Sequence, residues 1–283
     1  MARPRGGYIG FNRVPAASSP NSAAIGVWTQ REAESLKRAG TWPILPPAGV
    51  GAGLQLWLDA ADSSTLYDAT TGGSLVAANG GVARWEDKSG NERHATQGAA
   101  ANQPVLTANG RNGRNVLTFD GTDDFMVHSF NLPSPATTFA VAELTSVGTS
   151  GYELLFGANG ANQPIGSAIT ARVLSSNNWG SYIDEWKGSS YSIQGSCKVM
   201  TQIAKTTSPD VFRTNGNGQN ISWSSRITFV DGNSRQYIGG ERPPLPGGNM
   251  KGKICEIIAY TSVLSDESIS LVESYLMEKW GIT

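Results

Sequence analysis

NVLTFDGTDDFMV, residues 115–127, is the stretch from which the architecture of this 283-residue chain is first apparent. Val116 and Thr118 alternate with Leu117 and Phe119 up to an Asp120-Gly121 pair, and apolar residues begin again at Phe125. Period-two alternation is typical of strands, and an Asp-Gly pair between two such runs is typical of a tight turn. We therefore predict a β-hairpin whose second strand covers residues 125–127.

Three carboxylates follow one another closely in the same stretch, at Asp120, Asp123 and Asp124. Calcium takes roughly six to eight oxygen ligands in proteins, many of them carboxylates, so these residues are candidate metal ligands. Turn geometry alone also explains the Asp-Gly pair. We expect that the protein requires no cofactor. Calcium is the ion that these three carboxylates would suit.

The composition extends the β prediction to the whole chain. Glycine is frequent, with 34 residues, whereas charged residues make up only 16%. Strand-like runs recur at short intervals, separated by turn signals such as Asn215-Gly216 and Asp231-Gly232. Many short strands joined by tight turns are typical of sandwiches and jelly rolls. We predict an all-β sandwich and exclude a helix-rich fold.

The end of the chain has a different pattern. Ser265 can cap a helix whose first turn holds Asp266 and Glu267, and Gly281 can end it. Apolar residues recur at helical spacing on one face of this segment, namely Ile269, Val272, Leu276 and Trp280. We predict one C-terminal helix that packs on the sandwich through this face.

The first 50 residues differ in composition from the remainder. Residues 1–26 are rich in Gly, Pro, Ala and Ser, so they cannot build a core of their own and are either disordered or ordered by docking. A capping box, TQRE at 29–32, predicts a short helix, and prolines at 43, 46 and 47 form a linker. We predict an arm over 1–50 and a β domain over 51–283. The apolar side chains with which the arm would dock are Tyr8, Ile9, Phe11, Trp28 and Trp42.

Charge and hydropathy exclude two classes of partner. The net charge is -1, which gives the whole chain no electrostatic footprint for nucleic acid, although residues 1–40 are basic. No apolar run approaches the roughly 18 residues of a membrane span, and the first residues show no signal-peptide hydrophobic region. We expect neither a nucleic-acid nor a membrane partner.

Only two cysteines occur, Cys197 and Cys255. Free cysteine packs like a small apolar residue, whereas a disulfide needs the two Cα atoms within about 7 Å. The sequence leaves open whether they pair.

Several stretches resemble the concanavalin A-like, laminin G-like lectin and glucanase domains of secreted and bacteriophage proteins. They are WLDAADSSTL, VARWEDKSGNERHATQ, QPVLTANGRNGRNVLTFDGTDDFMV and GKICEIIAYTSVLSDESISLVESYLMEKWGI. The resemblance spans about residues 54–283, and its last stretch is the most specific. It implies a jelly-roll sandwich of two antiparallel sheets.

The N-terminal arm resembles the starts of bacteriophage tail and other virion proteins through GGYIGFNR and GVWTQREAESLKRAGTWP. This resemblance implies a location in the virion, on the tail or the capsid exterior. It also implies attachment to other virion proteins through residues 1–45 and a homo-oligomer, for which a trimer is one form.

Glucanases of this fold carry alternating carboxylates, Glu-x-Asp-x-Glu or Glu-x-Asp-x-x-Glu, because two carboxyl groups must flank one glycosidic bond. The chain has no such run. Asp184 and Glu185 are adjacent, so on a strand they would face opposite sides. We predict that the chain is not an enzyme.

Sugar binding is the alternative that the fold offers, because exposed aromatic rings stack on pyranose faces. The candidates lie in Ser- and Asn-rich surroundings, and each of them could also be a buried or interface residue. They are Trp179, Tyr182, Trp186, Tyr191 and Trp223.

Three functions stay open at this point. The first is a bacteriophage virion protein that attaches through its arm and presents a lectin-like domain to host surface polysaccharide. The second is a capsid decoration protein that clamps neighbouring subunits without recognising sugar. The third, a glycan depolymerase, rests only on relatives of the fold.

Overall fold

The structure is a computed structural model that describes residues 46–129, 135–145, 152–159, 169–172, 178–182, 186–222, 235–240 and 249–283. Residues 1–45 lie outside this part of the chain. The predicted arm, its short helix and its docking residues Tyr8, Ile9, Phe11, Trp28 and Trp42 therefore stay predictions, as does the domain boundary at residue 50.

The described residues form 17 β-strands, one α-helix and three short 3-10 helices. The strands are β1 (Leu54–Asp59), β2 (Leu66–Tyr67), β3 (Arg84–Trp85), β4 (Ala95–Thr96), β5 (Val105–Arg111), β6 (Arg114–Asp120), β7 (Met126–His128), β8 (Ala136–Leu144), β9 (Tyr152–Asn159), β10 (Ile169–Arg172), β11 (Asn178–Tyr182), β12 (Trp186–Ser192), β13 (Lys198–Ala204), β14 (Asp210–Thr214), β15 (Asn217–Ile221), β16 (Arg235–Ile238) and β17 (Lys251–Tyr260). The helix, α1, is Asp266–Trp280, and the 3-10 helices are Pro47–Gly49, Ser63–Thr65 and Ala100–Asn102.

The strands form two antiparallel sheets that pack face to face. The first sheet has the order β15-β14-β13-β8-β17-β6-β5, with β1 also paired to β17. The second has the order β12-β11-β10-β9-β16-β7-β4-β3-β2. The predicted all-β sandwich of two antiparallel sheets is confirmed. No helix within the described ranges has the length and apolar character needed to cross a membrane.

Strand β17 organises the first sheet because it pairs along both edges. One edge runs against β8, and the other pairs first with β6 and then with β1. The register shifts at Cys255, where a bulge separates Ile254 from Glu256. Through β17, the first strand of the domain lies directly beside the last strand, and Asp59 is paired with Glu256.

The predicted hairpin at residues 115–127 is wrong, although its two strands exist. β6 pairs with β5 and β17 in the first sheet, whereas β7 pairs with β4 and β16 in the second. The turn after β6 therefore carries the chain from one sheet to the other. Phe119 and Met126 both point into the core between the sheets. Alternation indicated which side chains are buried but not which strands are neighbours.

The C-terminal helix is confirmed, and it covers the outer face of the first sheet. Ser265 accepts a hydrogen bond from the Ser268 amide, and Gly281 ends α1 in the left-handed conformation. The predicted apolar face of the helix packs on Trp57, Phe139 and Tyr260. Together these residues form a second core on the helix side of the first sheet.

The two cysteines are buried, unbonded thiols in this second core. Cys255 lies on β17 and Cys197 directly precedes β13, and these two strands flank β8. The two Sγ atoms lie 4.0 Å apart. This distance exceeds the roughly 2.05 Å of a disulfide bond.

Candidate functional site

The two outer faces of the sandwich differ in what lies on them. Helix α1 and the 3-10 helix Pro47–Gly49 pack on the outer face of the first sheet. Within the described ranges, no helix packs on the outer face of the second sheet. Among the described elements, the outer face of the second sheet is therefore the one without a covering helix.

One side chain from each of five neighbouring strands contributes to a continuous row across this face. The row consists of Tyr67, Arg84, Thr96, Val127 and Tyr237, each paired with the next across the sheet. Their sequence neighbours, including Leu66 and Trp85, point into the core between the sheets. Because strand side chains alternate, burial of one set places the row on the outer face.

Arg84 and Tyr67 form a stacked pair at one end of the row. The guanidinium carbon of Arg84 lies 4.1 Å from the centre of the Tyr67 ring. Its Nε donates to Glu86 Oε1 at 3.2 Å, and its Nη1 donates to the carbonyl of Ala69 at 3.3 Å. These contacts bury most of the side chain, and Arg84 is 8% exposed. A guanidinium has five N–H donors, so the two bonds do not use all of them.

Aromatic side chains also occupy the other end of the row. Phe125 and Tyr237 have ring centres 5.9 Å apart and pack with Val127. Tyr237 is buried, whereas Phe125 is half-buried. Phe125 lies next to the acidic turn between β6 and β7, so an apolar ring and a group of carboxylates meet at this rim.

The three aspartates lie together in that turn, as their spacing predicted. Asp120 Oδ1 accepts from the Thr122 amide at 2.7 Å, and Asp124 Oδ2 accepts from the Asp120 amide at 2.8 Å. One carboxylate oxygen from each of Asp120, Asp123 and Asp124 lies within 4.8 Å of the other two. Burial raises the pKa of Asp124 to about 6, and the charges of Asp120 and Asp123 add to this effect.

These carboxylates suit a hard divalent cation. A cation among them would offset the mutual repulsion that raises the Asp124 pKa, and oxygen is the ligand atom that calcium takes. Hydrogen bonds to the backbone occupy one oxygen of Asp120 and one of Asp124, which leaves their second oxygens free of those bonds. Calcium at this turn stays a prediction.

The predicted sugar-binding residue Trp179 requires a correction, because it is fully buried. Its ring stacks on Phe212 with centres 5.1 Å apart, and its Nε1 donates to Thr214 Oγ1 at 2.7 Å. Both partners lie on β14 of the first sheet, so Trp179 joins the two sheets from the inside. Its ring face is not available to a sugar.

Three of the other predicted aromatics lie on the last two strands of the second sheet, β11 and β12. Tyr182 and Trp186 are paired across the β11–β12 hairpin, with side chains outside the described part of the structure. Tyr191 is half-buried on β12, the last strand of the sheet. Trp223 falls outside the described residues. The backbone brings the first three together on one hairpin, and their role in sugar binding stays a prediction.

Sequence comparison gives no relative for this chain. No protein-family model matches it, and no curated protein sequence matches it significantly.

Comparison of folds gives clear similarities at low sequence identity. A Trypanosoma rangeli sialidase in complex with sialic acid matches with a TM-score of 0.54 and 16% identity, over 96% of this chain and 37% of the sialidase. Domain 4 of AbnA, a GH43 extracellular arabinanase from Geobacillus stearothermophilus in complex with arabinotriose, matches with a TM-score of 0.53 and 13% identity, over 79% of this chain and 98% of that domain.

The botulinum neurotoxin serotype D binding domain also matches, with a TM-score of 0.52 and 13% identity. That match covers 83% of this chain and 55% of the toxin chain. The three likenesses establish a β-sandwich fold shared with these proteins. The chain spans little more than a third of the length of the sialidases it matches.

The prediction that the chain is not an enzyme is contradicted by this comparison. It rested on the missing carboxylate run of glucanases, but the matching chains include sialidases, which are enzymes. A glucanase motif was therefore too narrow a criterion for this fold. At 16% identity and 37% coverage, the similarity to sialidases concerns the fold.

The row on the second sheet was missed at the sequence level. Its strands are short, and β2, β3 and β4 have two residues each. Alternation within a two-residue strand is too brief to mark a face. The sequence does contain one signal, the Arg84-Trp85 pair. A charged residue next to a large apolar one in a strand indicates that the two side chains point to opposite faces of the sheet.

Proposed function

We propose that the chain is a carbohydrate-binding β-sandwich module whose binding face is the outer side of the second sheet. The observation that carries this proposal is the unequal covering of the two outer faces. Helix α1 covers the first sheet, whereas the described part of the second sheet carries on its outer face the half-buried side chains of Tyr67, Thr96 and Phe125 and the more deeply buried Arg84.

The chemistry of these side chains suits a sugar. Aromatic rings such as Tyr67 and Phe125 can stack on the apolar face of a pyranose. The guanidinium of Arg84 can donate to hydroxyl or carboxylate oxygens, and the hydroxyl of Thr96, which donates to the Val127 carbonyl at 3.5 Å, can accept. An acidic sugar would gain most from Arg84, because a charged donor strengthens the hydrogen bond.

The fold comparison supports the same class of ligand. Two of the similar structures are complexes with saccharides, one with sialic acid and the other with arabinotriose. Those ligands belong to those proteins. The two complexes support the proposal because a β-sandwich of this kind occurs in proteins that bind saccharides.

We further propose that the module is a bacteriophage virion protein, on the tail or the capsid exterior, attached through residues 1–45. The resemblance of the N-terminal segment to virion proteins supports this. The entry of the chain into the domain is consistent with it, because Ala48 and Val50 pack beside α1 and Tyr260 donates to the Val50 carbonyl at 2.9 Å. Attachment and sugar binding would then occupy opposite sides.

We include in this proposal a calcium ion bound by Asp120, Asp123 and Asp124 in the turn beside Phe125. Titration of metal-free protein with calcium should raise the melting temperature of the wild type. The same titration should leave Asp123→Asn unchanged, because that variant removes one carboxylate without touching the core. No shift in the wild type would remove calcium from the proposal.

The sugar-binding proposal is tested with an array of bacterial surface polysaccharides, sialosides and arabino-oligosaccharides. We expect specific binding by the full chain, and a loss of about tenfold in affinity for Tyr67→Ala or Phe125→Ala, since a stacked ring contributes on the order of 1 kcal/mol. Leu271→Ala is the control, because Leu271 is exposed on α1. A blank array, or equal losses in all three variants, would contradict the proposal.

Attachment through the arm is tested separately. A truncation that lacks residues 1–45 should keep its sugar affinity and fail to enter particles. Incorporation of the truncated chain would sink the attachment proposal. Labelling spread over the whole capsid, together with a blank array, would favour a decoration protein.

A further inference from the structure

Three ionisable side chains meet beneath helix α1, where the first and last strands of the domain lie side by side. Asp59 ends β1 and Glu256 is its direct partner on β17. Lys279, from the last turn of α1, places its Nζ 2.7 Å from Asp59 Oδ1 and 2.7 Å from Glu256 Oε2. One amine therefore contacts two carboxyl groups from neighbouring strands.

The surroundings of this group exclude water. Glu256 is 1% exposed and Asp59 is 4% exposed. Trp57 and Trp280 each donate an indole N–H to Glu256 at 2.8 Å, and the Tyr275 hydroxyl lies 3.1 Å from it. These contacts fix Glu256 against Lys279, while the aromatic rings wall the group off from solvent.

The carboxyl group of Asp59 is polarised from its other side. Lys88 Nζ lies 2.9 Å from Asp59 Oδ2, and the Ala61 amide donates to Oδ1 at 3.1 Å. Positive charge and an N–H donor on the two oxygens draw electron density from the carboxyl carbon. They also stabilise the negative oxygen that would develop there during attack by a nucleophile.

We propose that Lys279 and Asp59 form an intramolecular isopeptide bond, with Glu256 as the acid–base group. The Lys279 ammonium passes one proton to Glu256, and the neutral Nζ attacks Cγ of Asp59. A C–N bond forms and one C–O bond breaks. Glu256 transfers protons from nitrogen to the departing oxygen, which leaves as water. An ammonium and a carboxylate thus give an amide and one water molecule, with no other reactant.

The environment makes Glu256 a better proton acceptor than an exposed carboxylate would be. Burial raises the pKa of Glu256, and the charge of Asp59 acts in the same direction, whereas Lys279 opposes it. A carboxyl group with a raised pKa can accept the proton that blocks the amine. Contact between the reacting groups replaces a bimolecular encounter, and the exclusion of water disfavours hydrolysis of the product.

The bond would tie β1 to α1 and close the described domain into a covalent loop from residue 59 to residue 279. Unfolding would then leave the two ends of the domain joined. Such a link suits a protein exposed to proteases or mechanical load. It goes beyond the proposed function and does not depend on it.

Intact mass spectrometry of the purified full chain under denaturing conditions tests the inference. We expect a mass about 18 Da below the sequence mass, the loss of one water, and a branched proteolytic peptide that joins Asp59 to Lys279. Asp59→Ala and Lys279→Arg should show their full masses. Asp59→Asn should lose about 17 Da instead, because ammonia is then the leaving group.

Glu256→Gln separates chemistry from packing, because glutamine fills the same space but cannot shuttle the proton. It should fold and keep its full mass. Wild-type protein at its full sequence mass after prolonged incubation would overturn the proposal, and the group would then be an ion-pair network. A branched peptide that contains Lys88 instead of Lys279 would also overturn it.

Discussion

The side chain of Asp124 is held where its charge is unfavourable. Its carboxyl group is buried, accepts a backbone hydrogen bond from Asp120 and faces two further aspartates. Its pKa of about 6 in the folded chain is higher than the ordinary value of 3.8 for an aspartate. The folded state therefore binds this proton more tightly than the unfolded state does. The resulting stabilisation is fully present below the unfolded-state pKa of 3.8 and is lost as the pH rises through about 6.

Replacement of this one group should remove that part of the pH dependence. In metal-free protein, the wild-type melting temperature should fall from pH 4 to pH 7 by more than that of Asp124→Asn, since asparagine accepts the same hydrogen bond without ionising. Thermal melts across this range provide the measurement. Parallel curves for the two proteins would contradict the assigned pKa shift.

Trp179 illustrates how position in the fold overrides local composition. Its neighbours are serines and asparagines, which favour a loop, but its partner Phe212 comes from a distant strand of the other sheet. Trp179→Ala should lower the free energy of unfolding by about 3–5 kcal/mol, as is typical of a large buried aromatic. Denaturant unfolding measures this. A stable variant with weakened sugar binding would restore the original prediction.

Helix α1 is fastened to the first sheet by a buried ion pair as well as by its apolar face. Arg213 of β14 donates from Nε and Nη2 to the carboxylate of Glu273 at 2.9 and 2.8 Å, and Thr201 Oγ1 lies 2.8 Å from Oε1. The Glu273 side chain is 2% exposed, whereas that of Arg213 is 18% exposed. Loss of Arg213 would leave a buried charge without its main partner.

Arg213→Met should therefore destabilise the protein by roughly 3 kcal/mol. The double variant Arg213→Met, Glu273→Met should recover much of this loss, because it removes both charges. Chemical denaturation of the wild type, both single variants and the double variant gives the coupling energy. Additive effects of the two substitutions would show that the pair does not hold the helix.

Elements with local signals were predictable from the sequence, whereas pairings were not. The cap at Ser265, the spacing of apolar residues and Gly281 defined α1, because a helix is stabilised by neighbours in sequence. The hairpin at residues 115–127 failed because strand pairing is decided by distant partners. The hairpin that does form, β5–β6, turns at Asn112-Gly113, where both residues have positive φ.

At the scale of the whole molecule, helix α1 covers the outer face of the first sheet, and none of the described helices covers that of the second. The acidic turn was predictable because its three aspartates lie within five positions of the sequence. The row from Tyr67 to Tyr237 was not, because its members come from five strands spread over 170 positions. Its assembly depends on strand order in the second sheet, which no local pattern encodes.

Hydrogen-exchange mass spectrometry with and without the best-binding glycan from the array tests the proposed binding face most directly. We predict slower exchange in β2, β3, β4 and β7 and in the turn at residues 120–125, with no change in α1. Tyr67→Ala should reduce this protection. Protection confined to α1 and the first sheet, or none at a saturating glycan concentration, would contradict the account.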